Sequence, residues 1–250
     1  MKLLTDWNCH LLPMMGEWIA SPWDAREAIL RLHARTGIRR FCMMAEFDCL
    51  RESLPCFLLE RDRAMRELSR VLPQGVRILA GGYLRLRPGV SETAGLLKLC
   101  LPKLDLLPVM LPWNGIPQEL APEWNRLLYR LPARPMIMEA DHFVTALPQE
   151  DAERLLRLEN TVYQFNYLSL KDPNIRRILR GLIRRNATVL FGTSVNSPGK
   201  AGYYEFRAAT DSAEADFGKS ALEALLTMKP NESPNTAGIR FSPAREGRNT

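Results

Sequence analysis

The stretch DWNCHLLP, residues 6–13, decides how this chain is read. It forms the end of a first strand and the turn after it. A pattern D-x-H-x-H-x-L-P at such a strand end places two imidazoles at i and i+2. Both then lie on one side of an extended segment and can grip one metal ion. Here the first of those positions is Asn8, and His10 alone is kept. A neutral amide is a much weaker metal ligand than an imidazole. The segment therefore poses a choice between a metallohydrolase and the shell of one.

The 250 residues suffice for a full core, as one large domain or two small ones. With 46% apolar and 25% charged residues the composition is that of a soluble globular protein. No apolar run reaches the length of a membrane span, so no membrane insertion is expected. The start, MKLLTDWNC, lacks the apolar core and cleavage site of a signal peptide, which makes a cytoplasmic location the expectation. Five cysteines, Cys9, Cys42, Cys49, Cys56 and Cys100, without C-x-x-C pairs argue for reduced thiols. None has an arginine six residues downstream, which excludes the phosphate loop of cysteine-dependent tyrosine phosphatases. The formal charge of +6 favours anionic partners. The densest basic stretch, IRRILRGLIRR (175–185), has its apolar residues at helical spacing and no interleaved aromatics. It predicts an amphipathic helix with a solvated arginine face, and nucleic-acid binding is not expected.

Apolar, strand-like runs at 2–5, 38–43, 76–80, 106–111, 135–138, 161–165 and 188–191 alternate with helix-like runs at 21–35, 117–131, 149–158, 174–185 and 213–228. Ser21 as N-cap, Pro22 at the first helical position and Gly37 after the end bound the first helix. Seven alternating strands imply parallel pairing and a (β/α)-type barrel. A doubly wound sheet is the alternative, but no Gly-rich phosphate loop follows the first strand. A single barrel domain over 1–229 and a flexible tail over 230–250, rich in Pro, Asn, Ser, Gly and Arg, are expected, with no internal repeats. Active sites of such barrels lie at the C-terminal ends of the strands.

In that order, the strand ends resemble the PHP (polymerase and histidinol phosphatase) superfamily. The branch they are most similar to is that of the manganese-dependent tyrosine phosphatases of capsular and exopolysaccharide gene clusters. DWNCHLLP resembles that family's D-I-H-x-H-x-L-P, and GIRRFCMMAEFD (37–48) its G-I-T-x-I-V-A-T-P-H-H strand. VRILAGGYLRLRPG (76–89) is similar to the strand ending G-x-E-I-R, and LLPVMLPWNGIP (106–117) to I-L-I-E-F-P. RPMIMEADHF (134–143) resembles P-I-L-A-H-P-E-R-Y, VYQFNYLSL (162–170) resembles Q-x-x-x-x-S-L, and ATVLFGTSVNSPG (187–199) resembles I-A-S-D-A-H-N. MKPNESP (228–234) is similar to the closing N-P region. The resemblance implies a distorted TIM-like (β/α)7 barrel of the PHP type.

It also implies a site whose ligands are mostly replaced. The family's first histidine is Asn8 and the second is kept as His10. The histidine pair of the second strand becomes Glu46 and Phe47, the bridging glutamate Tyr83, and the fourth-strand glutamate Met110. The fifth-strand histidine becomes Glu139, that motif's arginine becomes His142, and the last aspartate and histidine become Thr193 and Val195. A multinuclear manganese site needs several oxygens and imidazoles on each ion, and this set does not supply them.

Other candidates have bland readings beside functional ones. His10 is a surviving ligand or a pocket histidine bonded to Asp6 or a backbone carbonyl. His10, Glu46, Glu139 and Asp141 are weak candidates for a rebuilt metal site; Asp48 and His142 lie beside them, and the carboxylates are otherwise solvated or paired with Arg85 and Arg87. Arg85 and Arg87 could grip a phosphate, or face solvent on a strand extension. Trp113 and Asn114 could line a pocket, and Trp7, Trp18 and Trp23 cluster near the first loop or fill core and lid. Ser53 and Ser194 have no adjacent histidine, so nucleophilic serine catalysis has no support.

The resemblance thus leads to a degenerate phosphatase homologue. It would be catalytically inactive, without a cofactor, and act by binding in surface-polysaccharide biosynthesis. Its expected partner is a bacterial tyrosine-kinase tail or another anionic or phosphorylated ligand. The alternative is an active phosphoric-ester hydrolase with a rebuilt site holding Mn²⁺ or another divalent metal. A phosphosugar sensor using the old pocket is a third reading.

Overall fold

The computed structural model describes residues 4–15, 19–101, 103–237 and 239. In chain order the elements are β1 (Thr5–Cys9), α1 (Pro22–Thr36), β2 (Arg40–Met43), β3 (Glu46–Phe47), α2 (Leu54–Val71), β4 (Arg77–Ala80), β5 (Tyr83–Arg85) and β6 (Leu106–Met110). These are followed by α3 (Ala121–Arg130), β7 (Arg134–Ile137), α4 (Ala140–Ala146), α5 (Gln149–Leu156), β8 (Val162–Asn166), α6 (Pro173–Arg184) and β9 (Val189–Gly192). Three helices close the sequence of elements, α7 (Pro198–Gly202), α8 (Phe206–Phe217) and α9 (Lys219–Leu226).

All the strand pairs are parallel, in two sheets ordered β1-β2-β4 and β3-β5-β6-β7-β8-β9. The two sheets are one ladder interrupted. β2 and β3 are halves of one stave, and β4 and β5 are halves of the next. Gly81 N–H donates to Met43 O at 2.9 Å and Tyr83 N–H to Ala45 O at 2.9 Å, so pairing continues across both breaks. The far edge returns to the start. Thr193 and Ser194 N–H both donate to Asn8 O, at 3.1 and 2.8 Å, and His10 N–H donates to Val195 O at 2.8 Å. These bonds carry the ladder from β9 back to β1, giving the seven staves of a PHP-type barrel.

Closure depends on two residues. A Cβ on Gly192 would lie 2.6 Å from both the backbone nitrogen and the Cβ of Asn8, so only glycine lets the two strands approach. The wholly buried Asp6 carboxylate accepts from Thr193 N–H at 2.9 Å, Thr193 Oγ1 at 2.6 Å and Asn8 N–H at 3.0 Å, which laces β1 to β9 with side-chain bonds. Trp7, Cys42, Tyr83, Leu106, Met136, Val162 and Leu190, one from each stave, pack together as the barrel's inner cluster. The larger cluster lies between strands and helices.

The first strand starts later than its apolar run suggests, at 5–9 rather than 2–5, because burial recruits the polar Asp6 and Asn8 into the sheet; Lys2 and Leu3 lie outside the described residues. The first helix has the expected caps. Ser21 Oγ accepts from Asp24 N–H at 3.2 Å, and Gly37 sits at φ 75°. α6 buries Ile175, Leu179, Leu182 and Ile183, while Arg176 and Arg180 pair with Asp216 of α8. The eighteen-residue α2 is a helix the periodic reading did not pick out, although Pro55 marks its first turn. The run at 213–228 is split at Gly218 between α8 and α9.

The stretch expected to be flexible from 230 packs under the barrel over its described part. The carbonyls of Pro230 and Glu232 accept from Arg134 and Thr188 Oγ1 at 3.1 and 2.9 Å, Asn235 N–H donates to Asn186 Oδ1 at 3.0 Å, and Ile239 is buried. Turn-forming residues there make a bonded cover. Residues 238 and 240–250 lie outside the described residues. Among the described residues no helix is long and apolar enough to cross a membrane.

Gly192→Ala is expected to cost about 1–3 kcal/mol, the usual range for forcing extra volume into a packed site. Gly181→Ala, within α6 and with nothing within 4 Å of the added Cβ, should instead gain about 0.5–1 kcal/mol. Urea midpoints of the two variants shifting in the same direction would contradict this account of closure.

Candidate functional site

The C-terminal ends of the staves surround a cavity of about 1110 Å³. His10, Glu46, Tyr83, Arg85, Met110, Glu139, Thr193 and Val195 line it, so eight sequence-predicted positions come together. Asn8 lies wholly buried and reaches the lining through Ser194, to whose Oγ its Nδ2 donates at 3.0 Å. His142 and Asp141 are not on the lining. The His142 ring packs edge-on against Trp113, with centroids 4.6 Å apart, and Trp113 itself is largely exposed. Trp7 is buried in the inner cluster and Trp23 is exposed under Arg26, so these two do not cluster; Trp18 lies outside the described residues.

One side of the cavity is organised by arginines. Arg85 grips Glu46 with two hydrogen bonds, Nε to Oε1 at 2.9 Å and a terminal nitrogen to Oε2 at 2.7 Å, and the Tyr83 hydroxyl donates to Oε2 at 3.1 Å. Burial raises the Glu46 pKa, but the bonds and charge of Arg85 outweigh it and hold the carboxyl below its usual range. Burial, with the same carboxylate beside it, pushes the Tyr83 phenol up. Two residues further along the same staves, Asp48 is 2.9 Å from Arg87 and 3.6 Å from Arg51. Arg85 and Arg87 are thus tied to carboxylates. Neither stands free in solvent, and at Arg85 a bidentate carboxylate occupies the geometry a phosphate would use, while Arg87 makes a single contact to Asp48.

The opposite side is built on amides. Gln164 Oε1 accepts from Asn8 Nδ2 at 3.1 Å and from Glu139 N–H at 2.9 Å. Glu139 and Ser194 hold left-handed backbones, φ 52° and 51°, on either side of this network. Such conformations cost non-glycine residues free energy and gather at functional positions. The His10 ring meets Glu139, at 3.7 Å, not the Asp6 that was one of its expected partners, since Asp6 is engaged by Thr193. Burial raises the Glu139 carboxyl, but His10 and the Ser194 hydroxyl hold it below its usual range. Burial dominates at Asp6 and Asp141 and pushes them up to about 7 and about 6.

Sequence reasoning missed Gln164, and it set Ser194 aside for want of a neighbouring histidine. The cavity also takes in Glu52, Asn166, Asn196, Tyr203 and Tyr204. The Gln of VYQFN stood inside a quoted motif, but nothing in the sequence marks its side chain as inward.

No family model matches the chain, and no curated protein matches its sequence. Its fold is similar to that in crystal structures of YwqE from Bacillus subtilis and CpsB from Streptococcus pneumoniae, unique metal-dependent tyrosine phosphatases. The TM-score is 0.67 at 19% identity, over 89% of this chain and 91% of the other. The chain therefore has the fold of the PHP-type tyrosine phosphatases.

The residues present do not fit the multinuclear manganese centre that the sequence resemblance implies. Among the described residues no group of three or more His, Cys, Asp or Glu side chains is arranged to hold a metal. Of the weak candidates, Glu46 is gripped by Arg85 and Asp141 lies off the lining, which leaves His10 with Glu139.

Two outcomes follow. Asp6 binds a proton up to about pH 7 when folded but only to about pH 4 when unfolded. Between those values the folded state holds more protons, so the stability due to this group is present at low pH and is lost as pH rises towards 7. Asp6→Asn should flatten that fall in urea titrations between pH 4 and 7; parallel wild-type and variant curves would contradict it. Arg85→Met strips Glu46 of its bidentate partner and should lower stability by about 1–2 kcal/mol, a partly exposed charged bond being worth less than a buried one.

Proposed function

We propose that the chain is a non-catalytic binding or regulatory protein on the metal-dependent tyrosine-phosphatase barrel. One observation carries this reading. Glu46, one of two carboxylates at the metal-ligand positions, is paired with Arg85 and bonded by Tyr83, so a guanidinium supplies the positive charge a metal would bring. Without a metal nothing lowers the pKa of an attacking water or clamps phosphoryl oxygens. The resemblance supports a place in surface-polysaccharide biosynthesis, beside a bacterial tyrosine kinase. The arginine pairing argues against a phosphate group as what the pocket itself holds.

One contact favours a second reading, an active phosphoric-ester hydrolase with a rebuilt site: His10 stands 3.7 Å from Glu139 at the cavity wall. Two donors are fewer than a catalytic metal takes from protein.

Mass-spectrometric metal analysis of protein purified without chelators, with p-nitrophenyl phosphate turnover in added Mn²⁺, decides between them. The proposal expects metal well below one per chain and no metal-dependent turnover. Asn8→His should restore none, because the other ligands remain absent. Stoichiometric metal with turnover, or activity from that single change, would overturn the proposal.

A further inference from the structure

Beneath the barrel, at the end opposite the large cavity, lies a second cavity of about 140 Å³. Thr5 and Trp7 of β1, Arg40 of β2 and the segment from Thr227 to Asn231 meet there. Thr5 and Arg40 are register partners, and each stands two residues before a member of the inner cluster, Trp7 and Cys42. Strand alternation therefore turns both towards the barrel axis. Among the described residues no carboxylate lines this cavity, while its donors go unused. The half-buried Arg40 makes no hydrogen bond or ion pair among them. Neither does the Thr5 hydroxyl or the Trp7 indole N–H, although both residues are buried. Arg134 beside it bonds to Pro230 O and Thr188 Oγ1, likewise meets no carboxylate, and has its pKa lowered by burial. Lys229 is balanced by Glu232 at 3.1 Å. The last turn of α9 also ends here, and the carbonyls of Glu223 and Leu225 are already taken by Thr227 N–H, which limits the negative end of that helix. Two guanidinium groups thus lack a counter-charge, and donors without acceptors cost free energy.

A ligand matching this place brings acceptors and a negative charge. A metal ion finds no carboxylate or imidazole on the lining. An apolar occupant would leave the donors unmet. The volume is below the about 300–1,000 Å³ of sites for drug-sized ligands, so it suits one small group. Guanidinium groups bind carboxylates and phosphates alike. Here the donors come from two strands, and the Asn231 amide comes from the closing segment, so acceptors are wanted in several directions. A tetrahedral oxyanion offers them and a planar carboxylate does not. We propose that this cavity binds one phosphate-type oxyanion, with its charge on Arg40 and its oxygens accepting from the Thr5 hydroxyl and the Trp7 indole N–H. The bound ion ties β1 and β2 to residues 227–231 and so holds the closing segment under the barrel. The site is separate from the large cavity and independent of whether that cavity holds a metal.

The test is equilibrium dialysis of the full chain, pretreated with a chelator, against radioactive inorganic phosphate at fixed ionic strength. Saturable binding of one phosphate per chain is expected. Arg40→Gln, with circular dichroism confirming the fold, should weaken it at least tenfold. Thr5→Val, which keeps the side chain's shape and removes the hydroxyl, should weaken it several-fold. Arg184→Gln removes the same charge from the exposed end of α6 and should leave binding unchanged. Non-radioactive sulfate should displace the phosphate, and acetate at the same concentration should not. Displacement by glycerol 3-phosphate at lower concentration than by phosphate assigns the group to an ester, and the reverse order assigns it to the free ion, both within the proposal. No saturable binding, equal binding by wild type and Arg40→Gln, or better displacement by acetate than by sulfate would overturn it. Should Arg40→Gln not fold, undiminished binding by Thr5→Val would overturn it instead.

Discussion

The join between β1 and β9 is the constraint on which the rest depends. The Asp6 carboxylate gathers three donors from Thr193 and Asn8 in a fully buried position, and Gly192 allows the two backbones to meet. Without that join the ladder would be an open sheet, and the residues of its two edges would not face one another across the cavity. The arrangement is costly. A buried carboxylate loses its hydration, and its proton affinity rises accordingly even with three bonds made to it. The same join fixes Ser194 in its left-handed conformation through its N–H bond to Asn8.

On this frame, the chemistry of the strand ends has been exchanged. Where a metal centre would gather oxygens and imidazoles on a shared cation, this barrel pairs carboxylates with its own guanidinium groups on one side and ties amides together on the other. The Glu46–Arg85 pair and the Asn8–Gln164 bond each satisfy groups that sit at or beside metal-ligand positions. Both arrangements need no added ion. The result is a cavity with carboxylate–arginine pairs on one side and a bonded amide network on the other.

Much of the fold was legible because parallel staves are buried on both faces and read as short apolar runs. The strands near 106–110, 134–137, 162–166 and 189–192 fall within a residue or two of those runs. β1 was placed too early because Asp6 and Asn8 look like loop residues until their buried partners across the barrel are known. The splits at Met44–Ala45 and Gly81–Gly82 also have no periodic signature, since each arises where the stave bends and pairing passes to the next residues. At the site, the resemblance supplied the positions, eight of which line one cavity, and residue type alone supplied the expectation that their ligand chemistry is replaced. What those residues do instead was not. Nothing local in L-R-L-R says that Arg85 meets Glu46, thirty-nine positions away, or that Gln164 joins Asn8 to Glu139.

The central claim is that Arg85 stands in for the metal at Glu46. Anomalous diffraction from crystals soaked in Mn²⁺ and recorded near the manganese edge addresses it most directly. The account predicts no anomalous peak among His10, Glu46 and Glu139, with Arg85 still bidentate on Glu46. An ordered manganese ion on Glu46 with Arg85 swung away would contradict it.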